Sequence, residues 1–229
     1  MKQNNLFKFD NYVNNKLNSC YLIGIDEVGR GALAGPVIAC AFSWDYHIKS
    51  KKSLPTLFKK LNDSKQLTRQ IREELYVDLI KHGVYAVGYA SVLEIEGMNI
   101  LNATFLAMKR AFEKFQIKNV SSDIEPYLLI DGNKFNPYIN CRQLSIIDGD
   151  AKSSVIAAAS VIAKVYRDRL MGKISSLDKF KKYGWNRNAG YGTAFHQKAI
   201  RKHGLTPLHR KLFVRNIFNQ TKKLSCALN

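Results

Sequence analysis

The chain has 229 residues, with 36 Lys and Arg against 18 Asp and Glu, a net charge of +18. That length supports one sizeable core, and the cationic excess favours a polyanionic partner, because each Lys or Arg set on a phosphate releases condensed counterions. The longest apolar stretches, 31–42 and 155–163, are too short to span a bilayer, no apolar leader is present, and Cys20, Cys40, Cys141 and Cys226 form no C-x-x-C pair, so membrane, secretory, zinc and disulfide classes are set aside in favour of a cytoplasmic protein.

The first 19 residues are Asn-rich and read as an extension, in part disordered. Strand signals follow at 21–27 (YLIGIDE) and 36–43 (PVIACAFS), a hairpin-like pair bounded by Gly and Pro. The stretch 44–66 reads as a long basic loop able to touch a ligand. A helical pattern at 67–82 then leads to a strand at 84–92, and a second at 98–116 leads to a strand at 127–131 (YLLID). A last strand at 143–147 precedes helices at 152–172 and 207–218. Strands alternating with helices predict one α/β domain over 20–229 with a central mixed sheet, ending in a basic helical segment from about residue 196. Residues 161–229 hold 16 basic and 2 acidic residues. On the helix at 152–172, Ser153, Ser160, Lys164 and Arg167 fall within roughly 60° of one another, opposite Val155, Ala159, Ile162 and Tyr166. This predicts an amphipathic helix with a small and basic polar face, the pattern that a solvated face would also give.

Carboxylates recur where apolar strands end: Asp26 and Glu27 after YLIGI, Asp131 after YLLI, Asp148 and Asp150 after LSII. Taken singly, each fits a turn or a helix cap, and Asp150 could cap the helix near Lys152. Taken together, acids converging at one sheet edge need a cation, since an unpaired buried carboxylate is costly. Oxygen ligands without a His or Cys cluster select Mg²⁺ or Mn²⁺. A pair of such ions inside a phosphate-binding surface is what two-metal phosphoryl transfer requires, so the residues alone point to a metal-dependent nuclease.

The motifs resemble those of bacterial ribonuclease HII, a type 2 ribonuclease H. GIDEVGRGALAGPV at 24–37 carries the family signature, and NDSKQL (62–67), MNILNATFLAMKRA (98–111), LLIDGN (128–133), GDAKSSVIAAASVIAKVYRD (149–168), GYGTAFH (190–196) and HR (209–210) follow in family order. The resemblance implies a ribonuclease H-like fold and an endoribonuclease that cuts RNA in RNA–DNA hybrids and 5′ of ribonucleotides embedded in DNA duplexes; a monomer is the default expectation, the sequence itself leaving the oligomeric state open. It implies two metal ions on Asp26, Glu27, Asp131 and Asp150, products with 3′-hydroxyl and 5′-phosphate ends, and roles in ribonucleotide removal and primer processing. By the same resemblance, Gly29, Arg30 and Gly31 approach the ribose 2′-hydroxyl, the group that separates RNA from DNA. Tyr191 packs on the deoxyribose at the RNA-to-DNA junction, and Lys65 and Lys164 bind flanking phosphates; Arg167 is added to these from the helical stripe.

Three departures stand out. Asp148 occupies a position commonly Lys, so two acids lie two residues apart, on one side if the strand continues through Gly149. Gly192 replaces a proline after the tyrosine, and HRKLFVRN departs from the usual terminal pattern. The histidines, His196 and His209 included, are given no catalytic part. Because neighbours on a regular strand point to opposite faces, Asp26 and Glu27 can share a metal only if the strand ends, bulges or twists at Glu27. The sister ribonuclease HIII is disfavoured by the Gly-Arg-Gly motif and the short N-terminal extension, and a non-catalytic nucleic-acid-binding relative by the presence of all four acids. The C-terminal TKKLSCALN offers no clear sliding-clamp peptide.

Overall fold

A computed structural model describes residues 5–17, 21–44, 61, 67–118, 125–215 and 217. Lys65, most of the 44–66 loop, Cys20, Cys226 and the C-terminal TKKLSCALN lie outside the described residues. Five strands, β1 (Tyr21–Val28), β2 (Val37–Trp44), β3 (Gly83–Ala90), β4 (Pro126–Asp131) and β5 (Gln143–Ile146), form one sheet in the order β3-β2-β1-β4-β5. β1 runs antiparallel to β2 and parallel to β4, and β4 runs parallel to β5, so the sheet is mixed as the sequence predicts. Ile23 and Ile25 of β1 and Val37 to Ser43 of β2 are buried without alternation, the pattern of strands covered on both faces.

The helices are α1 (Asn5–Lys16), α2 (Arg69–His82), α3 (Val92–Lys118), α4 (Ser154–Ser175), α5 (Asp178–Lys181), α6 (Trp185–Asn188) and α7 (Ala194–His203). Helix α1 replaces disorder over most of the N-terminal extension. It buries Leu6, Asp10 and Val13 at helical spacing, and Phe7 packs on Trp44 with ring centroids 5.4 Å apart. Helix α3 is broken at Asn99 (φ 68°, ψ 166°), whose Oδ1 accepts from Leu101 N and Asn102 N at 2.9 and 3.1 Å. The sequence pattern beginning at 98 therefore marks the second of two helices. The first starts at a reciprocal cap in which Ser91 N donates to Glu94 Oε2 and Glu94 N to Ser91 Oγ.

Helix α4 corrects the amphipathic reading. Ser153 to Ala163 are all buried, Tyr166 is exposed and Arg167 is fully buried, so the polar and apolar stripes exchange places at the last two positions. Glycine lets α4 lie directly on β1, since a Cβ on Gly24 would stand 2.2 Å from the Val155 carbonyl carbon. The N-terminus of α4 is capped from α1: Ser154 N, Val155 N and the Ser154 hydroxyl donate to Asp10 Oδ2 at 2.9, 3.2 and 2.5 Å. Trp44 Nε1 donates to Ser154 Oγ at 2.8 Å. Asp150 is therefore not the cap.

The chain divides into two compact units. The first comprises Met1–Val28, Ile38–Tyr89 and Thr104–Val165 and carries the sheet. The second comprises Gly29–Val37, Ala90–Ala103 and Tyr166–Asn229, with a core that includes Met171, Tyr183, Trp185, Ile200 and Val214. Among the described residues no helix is long and apolar enough to cross a membrane.

Candidate active site

The first unit gathers the acids through strand register. Parallel pairing sets Ile25 opposite Ile130, so Asp26 and Asp131 are the next residues at the same end of neighbouring strands. After β5, a 3₁₀ turn (Gly149–Ala151) brings in Asp150, and Gly149 N donates to Asp131 Oδ1 at 2.7 Å, tying that turn to β4. Asp26 and Asp150 are each only 5% exposed. Burial first, then the charges of Glu27, Asp131 and Asp150, hold the Asp26 carboxyl well above its usual range, and a hydrogen bond from Ser160 opposes them. The four carboxylates thus share one electrostatic neighbourhood.

Like charges at this range turn toward local donors. Asp26 Oδ1 accepts from Glu27 N at 2.6 Å as Asp131 Oδ1 does from Gly149 N, and no three His, Cys, Asp or Glu side chains among the described residues stand ready-made as a metal cage. Glu27 Oε2 and Asp150 Oδ2 are buried oxygens that accept no hydrogen bond, while both residues engage neighbours otherwise. An all-oxygen donor set, crowded enough to oppose its own ionisation, fits a hard divalent cation.

Two local expectations are corrected. β1 neither ends nor bulges at Glu27: its ladder with β2 continues through Glu27–Ala39 to Val28–Ile38, and only the pairing with β4 stops at Ile25. β5 ends at Ile146, so strand alternation does not relate Asp148 to Asp150. Asp148 is exposed in the left-handed region (φ 53°), which Asp tolerates better than most residues, and Asp150 is buried.

The second unit holds the Gly-Arg-Gly loop. Arg167, expected on a phosphate, is 0% exposed, and its Nε, Nη1 and Nη2 donate to the carbonyls of Pro36, Ala189 and Ala34 at 3.1, 2.7 and 3.1 Å. It is a buried strut for the loop. Arg210, also 0% exposed, donates Nε and Nη2 to Gly35 O and Nη1 to Arg30 O. Burial lowers the pKa of both guanidinium groups, yet arginine retains its charge at neutral pH. The C-terminal HR pair is thus part of the loop's support.

Gly29 (φ 92°) is required by the fold, because a Cβ there would stand 2.3 Å from Arg167 Nε. Gly31 is exposed, with nothing within 4 Å of an added Cβ. Tyr191 is half-buried, its ring centroid 5.3 Å from the Arg167 guanidinium carbon. Lys164, in the first unit, is half-buried one helical turn beyond Ser160. A cavity of about 480 Å³ in the second unit is lined by Ser175, Lys181, Asn186, Arg187 and Phe195, among others, and by none of the residues singled out from sequence. Sequence reasoning missed the support roles of Ser160, Arg210 and Asp10, although a Ser in an otherwise apolar AAAS run marked the first and the HR pair the second.

Residues 23–221 match the family model for ribonuclease HII. The chain is 46% identical over 192 residues to the Ribonuclease HII of Pelagibacter ubique, covering 84% of this chain and 95% of that protein. It is 44% identical over 198 residues to that of Fusobacterium nucleatum, covering 86% of each. Among solved structures it resembles RNase HII of Archaeoglobus fulgidus in its complex with PCNA (TM-score 0.64, 22% identity, 83% of this chain and 93% of that one). It also resembles Bst-RNase HIII in complex with Mn²⁺ (TM-score 0.70, 20% identity, 89% and 71%).

Proposed function

The chain belongs to the ribonuclease HII family, and on that premise we propose that this ribonuclease H, a metal-dependent nuclease, cuts on the 5′ side of ribonucleotides embedded in duplex DNA and within RNA–DNA hybrids, leaving 3′-hydroxyl and 5′-phosphate ends. The observation that carries the reading is the meeting of Asp26, Glu27, Asp131 and Asp150 in one neighbourhood at the end of β1 and β4.

Those four residues would hold two Mg²⁺ or Mn²⁺ ions. A bound pair supplies an activated water and charge stabilisation at the leaving oxygen, so no protein nucleophile is needed. The chain's own part is placement. Ser160 steadies Asp26, and the Gly149 amide fixes Asp131. Gly31 leaves open space where a sugar can approach the backbone, and no packing demand explains a glycine there. Tyr191 offers a half-buried ring for the sugar beyond the ribonucleotide, and Lys164 a cation for a flanking phosphate. The basic surplus of the chain supplies the sequence-independent attraction to the duplex.

The test is a nicking assay on a DNA duplex with one ribonucleotide, run beside a long hybrid, in Mg²⁺ and in Mn²⁺. Asp26→Asn is expected to lower turnover by about a thousandfold or more, several kcal/mol of transition-state stabilisation, while duplex binding persists. Turnover retained by Asp26→Asn in either metal refutes the assignment.

A further inference from the structure

The loop that carries Tyr191 is held carbonyl by carbonyl from the first turn of α7. Tyr191 O accepts from His196 Nδ1 at 2.9 Å, Gly192 O from Gln197 Nε2 at 2.8 Å, and Thr193 O from Gln197 N at 2.9 Å. The hydrogen bonds fix the state of the imidazoles. Trp185 Nε1 donates to His196 Nε2 at 2.9 Å, so the His196 proton sits on Nδ1, aimed at Tyr191. Thr206 N donates to His209 Nδ1 at 2.9 Å, so the His209 proton sits on Nε2, directed at His196 Nε2 at 3.2 Å. His196 is thereby locked from behind in the one neutral tautomer that can donate to the Tyr191 carbonyl. His196 and His209 are 0% and 1% exposed, so this lock is inside the core of the second unit.

Gly192 is the exposed residue at the centre of this arrangement. Thr193 N donates to Tyr191 O at 2.9 Å, closing a γ-turn centred on Gly192, and the φ of Gly192 is not in the positive range, which identifies the inverse form. That form is centred near φ −75°, within the range that proline enforces. Glycine enforces nothing there, so the Gln197 side chain on Gly192 O supplies the restraint.

We propose that His196 and Gln197 are positioning residues for substrate selection: the first turn of α7 sets the Tyr191 loop and thereby sets how strongly a lone ribonucleotide is preferred over a long hybrid. The proposal rests on the reading that Tyr191 contacts the sugar beyond the ribonucleotide. The quantity that tests it is the ratio of kcat/KM on a duplex with one ribonucleotide to kcat/KM on a long hybrid, measured with the full chain.

Gln197→Ala, a change at a half-exposed side chain, is expected to lower that ratio roughly three- to tenfold, the effect of one lost hydrogen bond. Gln197→Ala combined with Gly192→Pro is expected to restore it, because proline holds φ near the value of an inverse γ-turn; the nearest atom to a Cβ at 192 is Leu33 Cδ1 at 3.1 Å, the end of a flexible side chain. In the single variant, amide exchange over 188–193 should accelerate, a readout independent of catalysis. His196→Asn, which keeps a donor near the Nδ1 position, should hold the ratio better than His196→Leu. On a Tyr191→Ala background, Gln197→Ala should change the ratio no further. If Tyr191→Ala lowers the ratio while Gln197→Ala and His196→Asn, both folded by thermal melt, leave ratio and exchange unchanged, the clamp is wrong and the Tyr191 reading survives. If Tyr191→Ala itself leaves the ratio unchanged, the Tyr191 reading falls and takes the clamp's role in selection with it.

Discussion

Gly29 and Gly31 look equivalent in sequence and are not equivalent in space. Gly29 is needed by the protein itself, for its left-handed backbone and for the close passage of Arg167. Gly31 answers to no neighbour. Gly29→Ala should therefore cost roughly 2 kcal/mol or more of stability. Gly31→Ala should stay within about 0.5 kcal/mol, as ordinary surface changes do, yet lower cleavage of ribonucleotide-containing duplexes about tenfold or more by crowding the sugar. Urea unfolding and the nicking assay on the same preparations separate the two effects. Equal stability losses at the two positions would show that Gly31 serves the fold after all.

At the scale of elements, α1 and α4 depend on each other. Asp10 Oδ2 receives three donors from the start of α4, and burial outweighs those bonds enough to raise the Asp10 carboxyl above its usual range. Asp10→Ala strips the cap and leaves the Ser154 and Val155 amides unsatisfied in the core, an expected loss of about 2–3 kcal/mol. Asp10→Asn retains one acceptor oxygen and should recover part of it in denaturant titration; no difference between Ala and Asn would remove Asp10 from the capping role. This dependence also explains what the sequence hid. The strands were legible because apolar runs bounded by Gly, Pro and Asp mark them directly, whereas α1 is short and Asn-rich and draws its stability from tertiary contacts. Arg167 was misread because helical spacing tells which residues share a face and not which face meets the core. The adjacency of Asp26 and Asp131 was absent from the local pattern, since strand register is a property of pairing; their recurrence at strand ends suggested a shared site, and the family resemblance selected the four. Helix α7 begins two residues before the basic helical segment expected from about residue 196, because its start is set by the Thr193 cap and not by the narrow apolar stripe.

Across the whole molecule, the buried titratable groups of the two units respond to acid in opposite senses. In the first unit, Asp26 and Asp10 have raised pKa values, so the folded state holds protons that the unfolded chain releases, and their contribution is lost as pH rises through the folded pKa. In the second, burial and then the charge of His196 push His209 down to about 4, and burial also lowers His196. Here the unfolded chain binds protons that the folded one refuses. The histidine contribution is complete above the unfolded pKa near 6.5 and is lost as pH falls toward about 4. For His209 alone that is roughly 3 kcal/mol across the window. His209→Asn keeps an acceptor for Thr206 N and removes the titration, so its melting temperature should fall less steeply between pH 6.5 and 4.5 than that of the parent protein. Asp26→Asn should do the reverse, melting higher than the parent at pH 7 in chelator and losing stability more steeply in acid, because a group that favours the proton has been removed. Calorimetry in EDTA from pH 4.5 to 7.5 reads both slopes, and parallel curves for all three proteins would disprove this assignment of the acid response to His209 and Asp26.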